Sequence, residues 1–135
     1  MSNNKKTGFT LIELMSVISI LAILAAVLIP EITGYINRSK KSVVIDQCKN
    51  IYRVVQLREA GEQFKFKEDE KQIKDIFKEN ASFYGYDLIT QNDLNKILEV
   101  KLEDELPYIS TENFQQVIRN IEIDEAGNFK KLHKQ

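Results

Sequence analysis

The sequence predicts an α+β protein: a long N-terminal helix, half membrane-crossing and half amphipathic, packed against a small C-terminal head of short helices and a β-hairpin. Three observations carry this prediction. An apolar run extends from Phe9 to Ile29, and helical spacing of apolar residues continues beyond it to about Glu59. Near the other end, Ile121 and Ile123 alternate with acids ahead of the turn residues Glu125-Ala126-Gly127-Asn128.

The apolar run comes first. As a helix, Phe9 to Ile29 spans roughly 31 Å at about 1.5 Å per residue, enough to cross the hydrocarbon core of a bilayer. A cleaved secretory signal fits less well: the run is too long for an h-region, and it ends in Leu28-Ile29-Pro30-Glu31 with no small-x-small cleavage site. Lys5 and Lys6 precede the run and Arg38, Lys40 and Lys41 come after it, so the charge count barely decides orientation. Glu13 lies in the first turns with no opposite charge beside it. An ionised carboxylate inside a bilayer costs about 2.5 to 3.5 kcal/mol, so such a residue usually has a partner or a task.

Beyond Pro30 the helix is expected to continue, with Ile36, Val44, Cys48, Ile51 and Val55 on or near one face and Arg38, Lys41, Asp46, Lys49 and Arg53 turned to solvent or to neighbouring subunits. The seam is interrupted at Lys40 and Gln47, which disfavours a coiled coil. A helix of about 50 residues, roughly 75 Å long, exceeds what a small globule needs. Gly61 is a plausible stop. A short amphipathic helix is expected within Phe64 to Lys78, marked by Ile73, Ile76 and Phe77, and Thr90 with Asp93 reads as a capping box opening a helix through about Leu98. Pro107 is expected to break regular structure beyond that helix, and the hairpin of Ile121 to Leu132 closes the head.

Composition excludes several functions. The 135 residues hold 19 Lys and Arg against 20 Asp and Glu, a net charge of −1, so no basic surface suited to nucleic acid is present. His133, the single histidine, lies close to the end of the sequence, so neither a zinc pair nor a Ser-His-Asp arrangement is expected; the chain is not expected to be an enzyme, and no cofactor or metal is implied. Cys48, the only cysteine, falls on the apolar face and reads as a small buried hydrophobe. Glu103, Asp104 and Glu105 lack the spacing and glycine of a calcium loop and read as a solvated acidic face. Phe83, Tyr84 and Tyr86 around Gly85 read as core packing, with an adhesive or subunit-contact patch as the alternative. Ser16, Ser19, Ala22, Ala25 and Ala26 suit close approach of apolar helices.

The string Lys5-Lys6-Thr7-Gly8-Phe9-Thr10-Leu11-Ile12-Glu13-Leu14 resembles the class III leader of type IV pilins and of the related pseudopilins. The resemblance implies a cytoplasmic leader of residues 1–8, cleaved by a prepilin peptidase between Gly8 and Phe9, with Phe9 N-methylated. It also implies a membrane and filament-core helix of residues 9–30, an amphipathic continuation over 31–60 and a pilin head over 61–135. Glu13 falls at the fifth mature position, where the family carries its assembly glutamate, and Pro30 falls where the family kinks its helix. Unlike many such pilins, the run has no glycine upstream of Pro30. Implied partners are copies of the chain in a filament, the peptidase, an assembly platform and the membrane before assembly. The expected place is the cytoplasmic membrane with the head outside, then a surface pilus. A minor pilin or a pseudopilin of a secretion or DNA-uptake machine is the alternative, and a single-pass anchor for a small binding domain is a remote one.

Overall fold

The computed structural model describes residues 8–60, 71–77 and 94–133. Helix α1 runs Leu11–Glu59, α2 Ile73–Phe77, α3 Glu105–Thr111 and α4 Phe114–Asn120, followed by strands β1 Ile121–Ile123 and β2 Phe129–Leu132. The α+β architecture and the long first helix are as the sequence predicts. The chain divides into two compact units, one up to Ile36 and the other from Asn37 onward.

In the first unit, every large apolar side chain from Phe9 to Ile36 is between 46% and 87% exposed. Leu, Ile and Val here satisfy a helical backbone, but nothing among the described residues covers them. The hydroxyls of this segment are quiet: Ser16 donates to the Ile12 carbonyl at 2.8 Å, Ser19 to Met15 at 2.7 Å and Thr33 to Ile29 at 2.9 Å. These bonds back along the helix leave its surface apolar. The helix passes through Pro30 unbroken, although proline has no N–H to give the Ala26 carbonyl.

In the second unit, the α1 residues Val44, Ile45, Cys48 and Ile51 form a buried helical stripe. They meet Ile73 and Ile76 of α2, Leu106 and Ile109 of α3, Val117 and Ile118 of α4, and Ile121, Phe129 and Leu132 of the hairpin. Leu94, Ile97, Val100 and Leu102 complete the cluster. Burying such side chains stabilises by about 1.5 to 3 kcal/mol each, and without a disulfide this core is what holds the head. Residues 71–74 lie alongside 98–102 through an antiparallel bridge between Gln72 and Lys101 and backbone bonds from Ile73 to Val100 and from Lys74 to Leu98. Lys74 and Gln72 both reach Glu99, tightening this seam.

The hairpin matches the sequence reading. Asp124 and Asn128 exchange backbone and side-chain bonds across the turn, and Gly127 takes φ +87° where only glycine is at ease. The register pairs Ile121 with Leu132 and Glu122 with Lys131, then shifts by a bulge before Ile123 meets Phe129. Phe129 is thereby turned into the core, in the same buried cluster as Ile121 and Leu132.

Five expectations need correction. The helix begins at Leu11, not Phe9, because Thr10 caps it. Ile36 is 46% exposed and stands outside the buried stripe. Lys41 does not face solvent: its ammonium donates to the Ile118 carbonyl at 3.0 Å, in the last turn of α4. The stretch after Leu94 is helical only through Asn95 and then turns, its backbone drawn to residues 73–74 and Phe129. Pro107 does not break a helix but sits in the first turn of α3, where its missing N–H has no helical partner to lose. Gly61, Phe64, Thr90 with Asp93, and the Phe83, Tyr84 and Tyr86 cluster lie outside the described residues, as do Lys5 and Lys6.

Candidate functional site

Gly8, Phe9 and Thr10 precede α1 in non-helical conformation. An added Cβ at Gly8 would meet nothing within 4 Å, and Phe9 is 87% exposed. The Gly8–Phe9 peptide is therefore open to another protein and free of helical hydrogen bonding.

Thr10 and Glu13 then build the start of the helix reciprocally. The Thr10 N–H donates to Glu13 Oε2 at 2.9 Å, while the Glu13 N–H donates to Thr10 Oγ1 at 3.3 Å. This is a capping box, T-x-x-E, which satisfies two backbone donors that a helix N-terminus otherwise leaves orphaned. Leu14 N–H closes the first turn on the Thr10 carbonyl at 3.2 Å. Glu13 thus has a local partner that a search for opposite charges misses. Thr10 is the residue that sequence reasoning left unused, although its spacing to Glu13 is itself the signal. Only Oε2 is engaged; Oε1 carries no hydrogen bond among the described residues.

Three cations of the second unit serve the head. Arg38 donates to Gln115 Oε1 at 2.8 Å, Lys40 to the Glu125 carbonyl at 2.8 Å and Lys41 to the Ile118 carbonyl. Lys41 places positive charge at the C-terminal end of α4, where the helix dipole favours it. Gly127 packs on the stem of Lys40, whose Cδ would lie 3.3 Å from a Cβ there.

Cys48 is fully buried, and that burial pushes its thiol well above the ordinary range, with the Glu105 charge adding to the effect. Glu105 accepts the Lys101 N–H at 2.9 Å, and Glu103 is exposed; no cluster able to hold a metal ion occurs among the described residues. On the hairpin, Glu122 is held below the usual carboxylate range by its hydrogen bonds from Lys130 and His133, and Asp124 by those from Asn128.

An exposed apolar helix headed by a capped, acid-bearing start, with an open Gly–Phe junction ahead of it, defines a protein built on an uncovered N-terminal apolar helix. Consistent with this class, a family model described as the prokaryotic N-terminal methylation motif matches residues 3–29, which include Gly8, Phe9 and Glu13. The chain is 44% identical over 62 residues to a type IV major fimbrial protein, FimA, of Dichelobacter nodosus, covering 42% of this chain and 40% of that one. It is 46% identical over 50 residues to the type IV major pilin protein PilA of Myxococcus xanthus, covering 37% and 23%. Fimbrial protein Q of Moraxella bovis is 48% identical over 44 residues, covering 33% and 28%. Motif and relatives together make the N-terminal part of this chain similar to that of type IV pilins. It spans about two fifths of the first relative's length and about a quarter of the other two. No solved structure matches it significantly.

Proposed function

We propose that the chain is a structural, non-catalytic subunit of a type IV pilus, stored in the cytoplasmic membrane and assembled into a surface filament through its N-terminal helix. The observation that carries this reading is the wholly exposed apolar face of Leu11 to Ile36, which water does not tolerate as a contiguous patch of that size. Lipid covers it in storage and copies of the same helix cover it in the filament.

Prepilin peptidase cuts between Gly8 and Phe9, in the non-helical segment ahead of the Thr10 cap. Cleavage removes Lys5 and Lys6, whose burial among apolar helices would be prohibitive. It also turns the amide nitrogen of Phe9 into an amine of reference pKa about 7.7 to 8, largely cationic at neutral pH. Glu13 keeps its helix cap through Oε2 and offers Oε1 to the methylated Phe9 amine of a neighbouring subunit. Attraction between unit charges about 4 Å apart rises from about 1 kcal/mol in water to about 4 kcal/mol at an effective dielectric of 20. The pair therefore strengthens where water is excluded. Pro30 leaves the Ala26 carbonyl without its helical donor and is where the helix would bend on assembly.

The test is the mass of the native protein's N-terminal peptide. A peptide beginning at N-methyl-phenylalanine 9, recovered from sheared surface fibres, is the expected result. Native protein that still begins at Met1, or that never occurs in multimers, would overturn the reading.

A further inference from the structure

We propose that Tyr35, flanked on the same face of α1 by Ile32 at the hydrocarbon edge and by Ile36, seats in the outer headgroup layer of a glycerophospholipid bilayer while the subunit is stored in the membrane. The inference rests on the membrane-storage reading above and adds to it where the outer boundary falls and which side chain holds it.

The uncharged stretch from Leu14 to Pro30 is flanked by two acids, Glu13 and Glu31. Along a helix they are about 27 Å apart, slightly less than the roughly 30 Å hydrocarbon thickness. With Glu13 at the inner hydrocarbon edge, the outer edge falls near Thr33. Tyr35 then stands about 33 Å from Glu13, inside the headgroup layer that brings a bilayer to about 40 to 45 Å. A tilt of about 20° lowers this height only to about 31 Å, so the placement survives the usual tilt.

The chemistry of the turn agrees with that depth. Tyr35 is the first aromatic after Phe9. It is 75% exposed, beside Ile32 at 51% and Ile36 at 46%. A tyrosine puts an apolar ring against acyl carbons and its hydroxyl among ester and phosphate oxygens, which is why the residue concentrates at bilayer boundaries. The cations that come next are engaged elsewhere: Arg38 with Gln115, Lys40 with the Glu125 carbonyl and Lys41 with the Ile118 carbonyl. The interfacial contact thus falls to Tyr35 and its two isoleucines.

The chain has no tryptophan, so a single one reports its own depth. The full chain carrying Tyr35→Trp, and separately Leu21→Trp, is reconstituted at low density in phosphatidylethanolamine–phosphatidylglycerol vesicles. The vesicles contain lipid brominated either near the glycerol end or near the methyl end of the acyl chain. Tyr35→Trp is expected to show emission blue-shifted from that of the urea-unfolded chain and to lose more intensity to the shallow bromines. Leu21→Trp is expected to lose more to the deep ones. If Leu21→Trp is deeply quenched but Tyr35→Trp emits as in water, escapes both quenchers or answers mainly to the deep one, the interfacial placement is wrong while membrane storage stands. If Leu21→Trp escapes both quenchers, membrane storage fails and the placement falls with it.

Discussion

Glu13 caps its own helix and, in the proposed function, also carries the charge that pairs with a neighbour; substitutions can separate the two. Gln at the same position keeps a carbonyl oxygen to accept the Thr10 N–H and serves a capping box as well as Glu does. It has no charge. Ala keeps neither. Thr10→Ala removes the hydroxyl that accepts the Glu13 N–H but leaves the carboxylate ionised. Loss of such a cap costs about 1 kcal/mol, within a range of about 0.5 to 2. Loss of a charge pair in a water-poor bundle removes up to about 4 kcal/mol. Because 1.4 kcal/mol is about a factor of ten, the cap corresponds to roughly fivefold and the charge pair to as much as about a thousandfold.

The assay is the ratio of sheared fibre to membrane-held subunit on immunoblots, with helix content of the purified chains in detergent by circular dichroism. Glu13→Gln is expected to retain helix content and insert normally yet assemble as poorly as Glu13→Ala. Thr10→Ala is expected to assemble several-fold less well than the parent and far better than either. Assembly of Glu13→Gln at the parental level would show that the oxygen geometry, not the charge, is what the filament needs, and would refute the ion-pair account.

The head offers further tests. Gly127→Ala places a side chain at φ +87°, with its Cβ 3.3 Å from Lys40 Cδ; a loss of about 1 to 2 kcal/mol is expected, read as a lower melting temperature of the folded protein. Lys41→Met keeps the aliphatic stem but withdraws the charged donor from the Ile118 carbonyl, with a smaller loss of about 0.5 to 2 kcal/mol expected. Cys48, buried and held protonated, is expected to react with a thiol reagent at neutral pH only after urea unfolding. Glu122 and Asp124 have folded-state pKa values below their unfolded ones. Their contribution is present above the ordinary carboxylate pKa of about 4 and is lost as pH falls through the depressed values. A fall in melting temperature below about pH 4 is expected, shallower in Asp124→Asn.

How much the sequence disclosed depends on the kind of partner each group has. Apolar residues find other apolar residues by periodicity, so the stripe of Val44, Cys48 and Ile51 and the alternation of Ile121 and Ile123 were legible, and with them the architecture. The turn was legible because Gly127 is one of the few residues suited to its backbone conformation. Helices α3 and α4 were not: each has seven residues, too few for a 3.6-residue period to declare itself, and only Asn113, which accepts the Gln115 N–H, marks a boundary. Lys40 and Lys41 bind backbone carbonyls, and a carbonyl is the same in every residue. No pattern of letters could name Glu125 or Ile118 as their partners.

The site divides along the same line. Gly8, Phe9 and Glu13 stand at offsets that the methylation motif matches, so the chemistry proposed for them was readable as a string. Thr10 was readable too, by the rule that places a capping box at Thr90 and Asp93, yet a carboxylate in an apolar run draws attention to charge and away from the backbone N–H groups beside it. Those donors would let one acid serve before and after the proposed cleavage. Glu13 is already hydrogen-bonded to its own chain, and in the proposed assembly the amine exposed by cleavage would meet an oxygen that the cap leaves open. Capping comes from local geometry and pairing from a new charge, so the first can hold the carboxylate in position for the second.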